Sequence, residues 1–231
     1  MGGPLRAGPR SLYPIHGFWL WTDANVFVAS RLALDRSADV RGLVRQWAAG
    51  RFHGSPQVAD AVERVLTRTR AAVRTGFYIR PFAERDVRVA SLELPPLMWV
   101  FEWDRVGGWH SLLSIVYRGT RDSVDVAIAE GNEAAAAVRE ARQMLQTALA
   151  AVDARTCADR CSEALRSLEC QETLFDALAA WRQAFLGDYR WLETGDPNAW
   201  NAWASGRERF KSAGARHVER FGRIRISRPS I

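Results

Sequence analysis

Residues 158–189, ADRCSEALRSLECQETLFDALAAWRQAFLGDY, decide the fold class. Leu174, Leu178, Trp181, Phe185 and Tyr189 recur at intervals of three and four, the period of one helix face. Working outward, residues 123–153 are alanine-rich, with Val126, Ala129, Glu133 and Ala137 at similar spacings. On the other side, Asp196-Pro197 supplies a cap and a first-turn proline. The helix it opens carries Trp200, Trp203, Phe210, His217 and Phe221. Three long helices with short connections predict an antiparallel bundle. His217 on its face is read as a satisfied core histidine.

The amino-terminal half is helical in shorter pieces. Asp23 is a candidate N-cap for a helix to Leu34, with Val26, Phe27, Ser30 and Leu34 along one face. Ser37 is a candidate cap for the next, which carries Val40, Leu43, Val44 and Trp47. Ser55-Pro56 opens a third, with Val58, Val62, Val65, Leu66 and Val73 facing inward and Gly76 ending it. Residues 15–21 (IHGFWLW) form an aromatic run suited to a buried strand. Residues 77–108 hold Pro81, Pro95, Pro96 and Gly107-Gly108, an irregular insert. Within it, residues 97–104 (LMWVFEWD) are read as a strand or a tight helical segment. Beyond Trp109 the chain turns helical again, with Leu112, Leu113, Val116 and Tyr117 together. Residues 223–227 (RIRIS) alternate like a small strand. The fold class is therefore mainly α, an antiparallel helical bundle with one or two short strands. Its divisions are a lead and strand at 1–22, a helical domain at 23–221 and a basic tail at 222–231.

The chain has 231 residues, of which 48% are hydrophobic and 25% charged, which excludes wholesale disorder. No apolar run approaches the roughly 18–20 residues of a membrane span, so no membrane partner is expected. The first ten residues are Gly/Pro/Arg-rich with no apolar core, so a cytoplasmic location is expected as written. The net charge is +6. Residues 205–231 hold eight basic residues against Glu208 and Glu219, which is the whole excess. All basic residues but Lys211 are arginine, and no nucleic-acid reader motif accompanies them, so a nucleic-acid partner is the least favoured reading. The three cysteines, Cys157, Cys161 and Cys170, are an odd set with no histidine nearby. They are expected as reduced thiols, with no metal site and no cofactor.

Chemistry is sought at tryptophan, of which there are ten. Trp47, Trp181, Trp200 and Trp203 lie at helical spacings and are assigned to the core. Trp19, Trp21, Trp99 and Trp103 stand near acidic or amide groups. A flat indole matches the C–H face of a pyranose, while carboxylates and amides bond its hydroxyls. Glu102 and Asp104, two apart, would share one face of a strand. They are the candidates for a catalytic acid pair, although two acids so placed on one strand are more commonly salt-bridge partners of arginine.

Residues 19–54, WLWTDANVFVASRLALDRSADVRGLVRQWAAGRFHG, resemble the segment that follows the barrel in α-glucuronidase-like glycoside hydrolases. The matching residues are Ala24, Asn25, Val26, Phe27, Arg31, Leu32, Ala33, Leu34 and Asp35, then Trp47, Ala48 and Phe52. Leu34 stands where the family usually has tryptophan. The resemblance implies that residues near 15–21 are a last barrel strand and the rest is the helical region beyond a (β/α)8 barrel. Trp19, Trp21, Asp23 and Asn25 would line the carboxyl end of that strand, with Trp99, Glu102, Trp103 and Asp104 reaching the same cleft. It further implies a carbohydrate ligand, a uronic-acid-containing glycoside. A whole barrel takes about 250 residues, so the catalytic barrel would lie upstream or in a partner chain, and this chain would not be catalytic alone. The alternatives are a non-catalytic helical carbohydrate-binding or protein-interaction module, and a basic nucleic-acid-associated protein.

Overall fold

A computed structural model describes residues 20–52, 55–80, 109–150 and 158–221, excepting the side chains of residues 109–112 and 158. The described residues form helices α1 (Leu20–Leu34), α2 (Val40–Arg51), α3 (Pro56–Gly76), α4 (Trp109–Thr120), α5 (Val124–Ala150), α6 (Ala158–Thr194) and α7 (Pro197–Phe221). A single 3-10 turn, Arg121–Ser123, joins α4 to α5. No strand occurs among them. Leu20 and Trp21, expected in a strand, instead open α1. The remainder of that run, residues 97–104 and residues 223–227 lie outside the described residues.

Local chemistry explains several helix ends. Asp196 accepts from the amide of Asn198 at 2.9 Å just before Pro197. Ser55 Oγ accepts from the amide of Val58 at 3.4 Å just before Pro56. Gly195 adopts a φ of 67°, a left-handed conformation that closes α6 without a Cβ penalty. Two expected caps are displaced. Asp39, not Ser37, caps α2, accepting from the amides of Arg41 and Gly42. Ser37 instead gives its amide and hydroxyl to Asp35. Asp23 lies inside α1 because the helix begins three residues earlier.

The chain divides into two compact units, Met1–Leu66 with Ala141–Leu168, and Thr67–Glu140 with Glu169–Ile231. The first packs Leu20 and Ala24 of α1, Trp47, Ala48 and Phe52 around α2, and Val58, Val62 and Val65 of α3. Leu145 and Leu149 of α5 and Ala164 and Leu168 of α6 complete that core. The α1 stripe thus runs through Leu20, Ala24 and Phe27, while Val26 and Leu34 are exposed.

In the second unit α3, α5, α6 and α7 pack in an antiparallel arrangement. Arg68 of α3 pairs with Glu140 of α5, while Gly76 lies against Ala134, so the two run in opposite directions. Asp125 of α5 pairs with Arg190 of α6, and Arg139 with Asp176, again reversing direction. Gly187 of α6 meets Trp203 of α7, and Glu169 meets Arg220, a third reversal. The expected antiparallel bundle is therefore present in this unit. Its cores centre on Trp181, Phe185, Leu113, Val116 and Tyr117, and on Phe175, Leu178, Ala134 and Val138. His217 is buried and Thr173 Oγ1 lies 2.7 Å from its Nδ1.

The α5 stripe is offset from its expected position. Val124, Ala127, Ala134, Val138, Ala141 and Leu145 are buried, whereas Val126 is exposed. Alanine at so many positions makes several faces equally apolar, and only packing selects one.

Candidate functional site

The structure brings Trp21 and Asp23 together around Trp47 in the first unit. Trp47 Nε1 donates to Asp23 Oδ2 at 2.8 Å. Arg51 grips both oxygens of the same carboxylate, at 2.8 and 2.9 Å. The Trp21 ring stands 6.2 Å from that of Trp47, and its N–H donates to Ser167 Oγ at 2.6 Å. Asn25 is exposed on the far side of α1. Trp19, Trp99, Glu102, Trp103 and Asp104 lie outside the described residues. The polar atoms of Trp21 and Asp23 are thus engaged in joining α1 to α2 and α6.

The Trp47 N–H, together with Arg51 and Arg160, holds the Asp23 carboxyl below its ordinary value. A carboxylate whose pKa falls on folding contributes stability above its unfolded pKa and loses it as pH falls. Asp23→Asn is expected to cost about 1 kcal/mol at neutral pH, because the pair is half-exposed. It should also flatten the decline in stability between about pH 5 and pH 3. Urea titrations at several pH values read both; parallel declines in wild type and variant would refute the role given to this carboxylate.

The second unit holds a buried charge. Arg182 has no exposure, and Gly131 leaves its guanidinium room, since a Cβ there would come within 3.3 Å of its Nε. Its nitrogens donate to the carbonyls of Gly76 at 2.6 Å, Tyr78 at 3.2 Å and Ala127 at 3.1 Å. Burial pushes its pKa down to about 10, with Glu130 opposing the fall. Glu130 accepts from Arg80 through Oε1, while its Oε2 has no hydrogen-bond partner among the described residues. This cluster fastens the end of α3 to α5 and α6.

A surface feature lies at the α6–α7 turn. Trp191, Trp200 and Trp203 form a run of indoles, with centroids 4.8 and 4.5 Å apart. Trp200, expected in the core, is 41% exposed, and Leu192, which follows Trp191 in α6, is 67% exposed. Ala199 takes the buried position instead, because Trp200 lies about 100° further round the helix. Arg207 sits over the Trp203 ring, 5.5 Å from its centroid. Trp181 is fully buried as expected, and Trp203 is partly so.

Asp188 borders this run. It precedes Trp191 by three residues and Leu192 by four, spacings that share a helix face. Gln183 marks the opposite flank of the pair, donating to Ala202 O and Ser205 Oγ; Asp188 lies about 140° round α6 from it. No cation or hydrogen-bond donor is paired with Asp188 among the described residues, and burial alone raises its pKa. Nearby Glu193 differs: it takes the Tyr117 hydroxyl at 2.6 Å and Arg121 at 3.2 Å. Burial, then Glu193, push the Tyr117 pKa up to about 12.

No group of three or more His, Cys, Asp or Glu among the described residues is placed to hold a metal ion. No described helix is long and apolar enough to cross a membrane. Cys161 and Cys170 form no disulfide, and both are partly buried. Comparison of the chain with protein families, curated proteins and solved structures yields no match.

Proposed function

We propose that this chain is a non-catalytic helical interaction module whose ligand is a protein segment held on the Trp191–Trp200–Trp203 face. The observation that carries this reading is Trp200, an indole 41% exposed to solvent yet braced by two others. A braced, half-exposed tryptophan, with an exposed leucine following one of its ring partners in the chain, is the composition of an interface centre, where aromatic anchors supply most of the binding energy. Panning a random peptide library against the full chain, with counter-selection on Trp200→Ala, tests it. Selected peptides are expected to lose at least about tenfold in affinity for the variant, about 1.4 kcal/mol. Enrichment of peptides indifferent to Trp200 would refute the reading.

A second reading, carbohydrate binding, is favoured by the exposed amides of Asn198 and Asn201 flanking Trp200. An unpaired carboxylate at Asp188 disfavours a uronic acid there, since like charges repel. Calorimetric titration with neutral and uronic-acid-containing oligosaccharides separates the readings. The glycoside hydrolase reading, with this chain as the helical region of a longer enzyme, draws support from residues 24–52 alone. Of its matching positions, Ala24, Trp47, Ala48 and Phe52 are core residues of the first unit. They speak to how α1 and α2 pack rather than to a ligand.

A further inference from the structure

We propose that the α6–α7 tryptophan face binds the basic segment at residues 223–226, RIRI, of a second copy of this chain. The inference rests on the reading of that face as an interaction surface and names its partner.

The face asks for a cation with apolar surroundings. Asp188 is a half-buried carboxylate with no counter-charge among the described residues. The α6 carboxyl terminus lies a turn and a half beyond it and adds the negative end of a helix dipole. Trp200 and Leu192 supply exposed apolar surface. A guanidinium satisfies both demands, pairing with carboxylate while its plane rests on an indole. Arg207 over Trp203 already makes that stacking contact within the cluster.

The chain's own sequence contains a segment of that chemistry. Its entire +6 excess falls in residues 205–231, and in residues 223–226 arginine alternates with isoleucine. Two arginines would then lie on one side of an extended segment, about 6.6 Å apart. In this arrangement one arginine pairs with Asp188 and the next rests on an indole of the face, while the isoleucines add apolar area.

Geometry excludes the chain's own tail. Gly187 packs on Trp203 and Gly206 on Ala184, so Asp188 stands level with residue 202 of α7. Phe221 ends α7 roughly 28 Å further along. Arg223 and Arg225 follow Phe221 by two and four residues, which span at most about 14 Å. A second copy must supply them. Tail and face are different surfaces, so the contact is head-to-tail and continues from copy to copy.

Light scattering on the full chain at low salt tests this. The mean mass is expected to rise with concentration above 25.9 kDa and to fall back at high salt. Deletion of residues 222–231, and Asp188→Arg, are each expected to give monomers. Mixing the two must then yield a one-to-one dimer, because one retains the face and the other the tail. Far-ultraviolet circular dichroism checks that both variants are folded; Asp188→Asn replaces Asp188→Arg if that one is not. A monomeric wild type up to about 100 μM, association that survives tail deletion, or a mixture that stays monomeric would each overturn the proposal. Such a result beside Trp200-dependent peptides from the library would remove the partner and leave the interaction face standing.

Discussion

Arg182→Ala is expected to cost the second unit about 5 kcal/mol, comparable with the whole stability of many domains. The guanidinium serves three carbonyls, and those of Gly76 and Tyr78 lie at or just beyond the end of α3. Truncation takes a donor from each of these acceptors, at about 1–3 kcal/mol where the acceptor is buried. It also takes a positive charge from beside the buried Glu130 carboxylate and opens a void. Lysine restores the charge but offers a single point where a planar fork serves several carbonyls, so Arg182→Lys should recover only part of the loss. Arg182→Met, which fills the space without a donor, should fall between alanine and lysine. Urea denaturation followed through tryptophan fluorescence, with the adjacent Trp181 as reporter, orders the three variants. An alanine variant within about 1 kcal/mol of wild type would contradict the role assigned to this side chain.

That residue also marks the limit of what sequence patterning reveals. Caps are local chemistry, so Ser55-Pro56 and Asp196-Pro197 announce their helices, and large apolar residues such as Trp181 and Phe185 announce theirs. Arg182 sits between Trp181 and Phe185 and reads as a solvated charge, because its carbonyl partners come from residues 55 to 106 positions away. The small-residue stripe that brings α6 against α7 is silent in a hydrophobic pattern. Asp23 and Trp21 were legible as a polar-aromatic pair, but their partners Trp47, Arg51 and Ser167 were not, and those partners give them a joining role. Trp200 misleads for a different reason. It follows the spacing of the apolar stripe closely enough to look buried, while alanine at 199 is the residue small enough for the contact.

Gly206→Ala should destabilise the second unit by about 2 kcal/mol, while Gly214→Ala, two turns along the same helix, should stabilise it by up to about 1 kcal/mol. Alanine is the better helix former at both positions, so the sign is decided by what its methyl meets. At Gly206 a Cβ would lie 2.6 Å from the amide nitrogen of Ala184 and 3.0 Å from the Ala180 carbonyl, both backbone atoms. At Gly214 nothing lies within 4 Å. Backbone cannot rotate aside, so relief at Gly206 requires α7 to move off α6. Gly187 faces the same limit from the other helix, at 2.6 Å from the Trp203 amide nitrogen. Because that contact is with Trp203 itself, Gly187→Ala should disturb the stacking of Trp200 between Trp191 and Trp203 as well as stability. Thermal denaturation separates the signs at 206 and 214. Peptides selected on Trp200 should bind Gly214→Ala as they bind wild type and bind Gly187→Ala more weakly. Equal binding to both would mean that the tryptophan face does not depend on the close approach of the two helices.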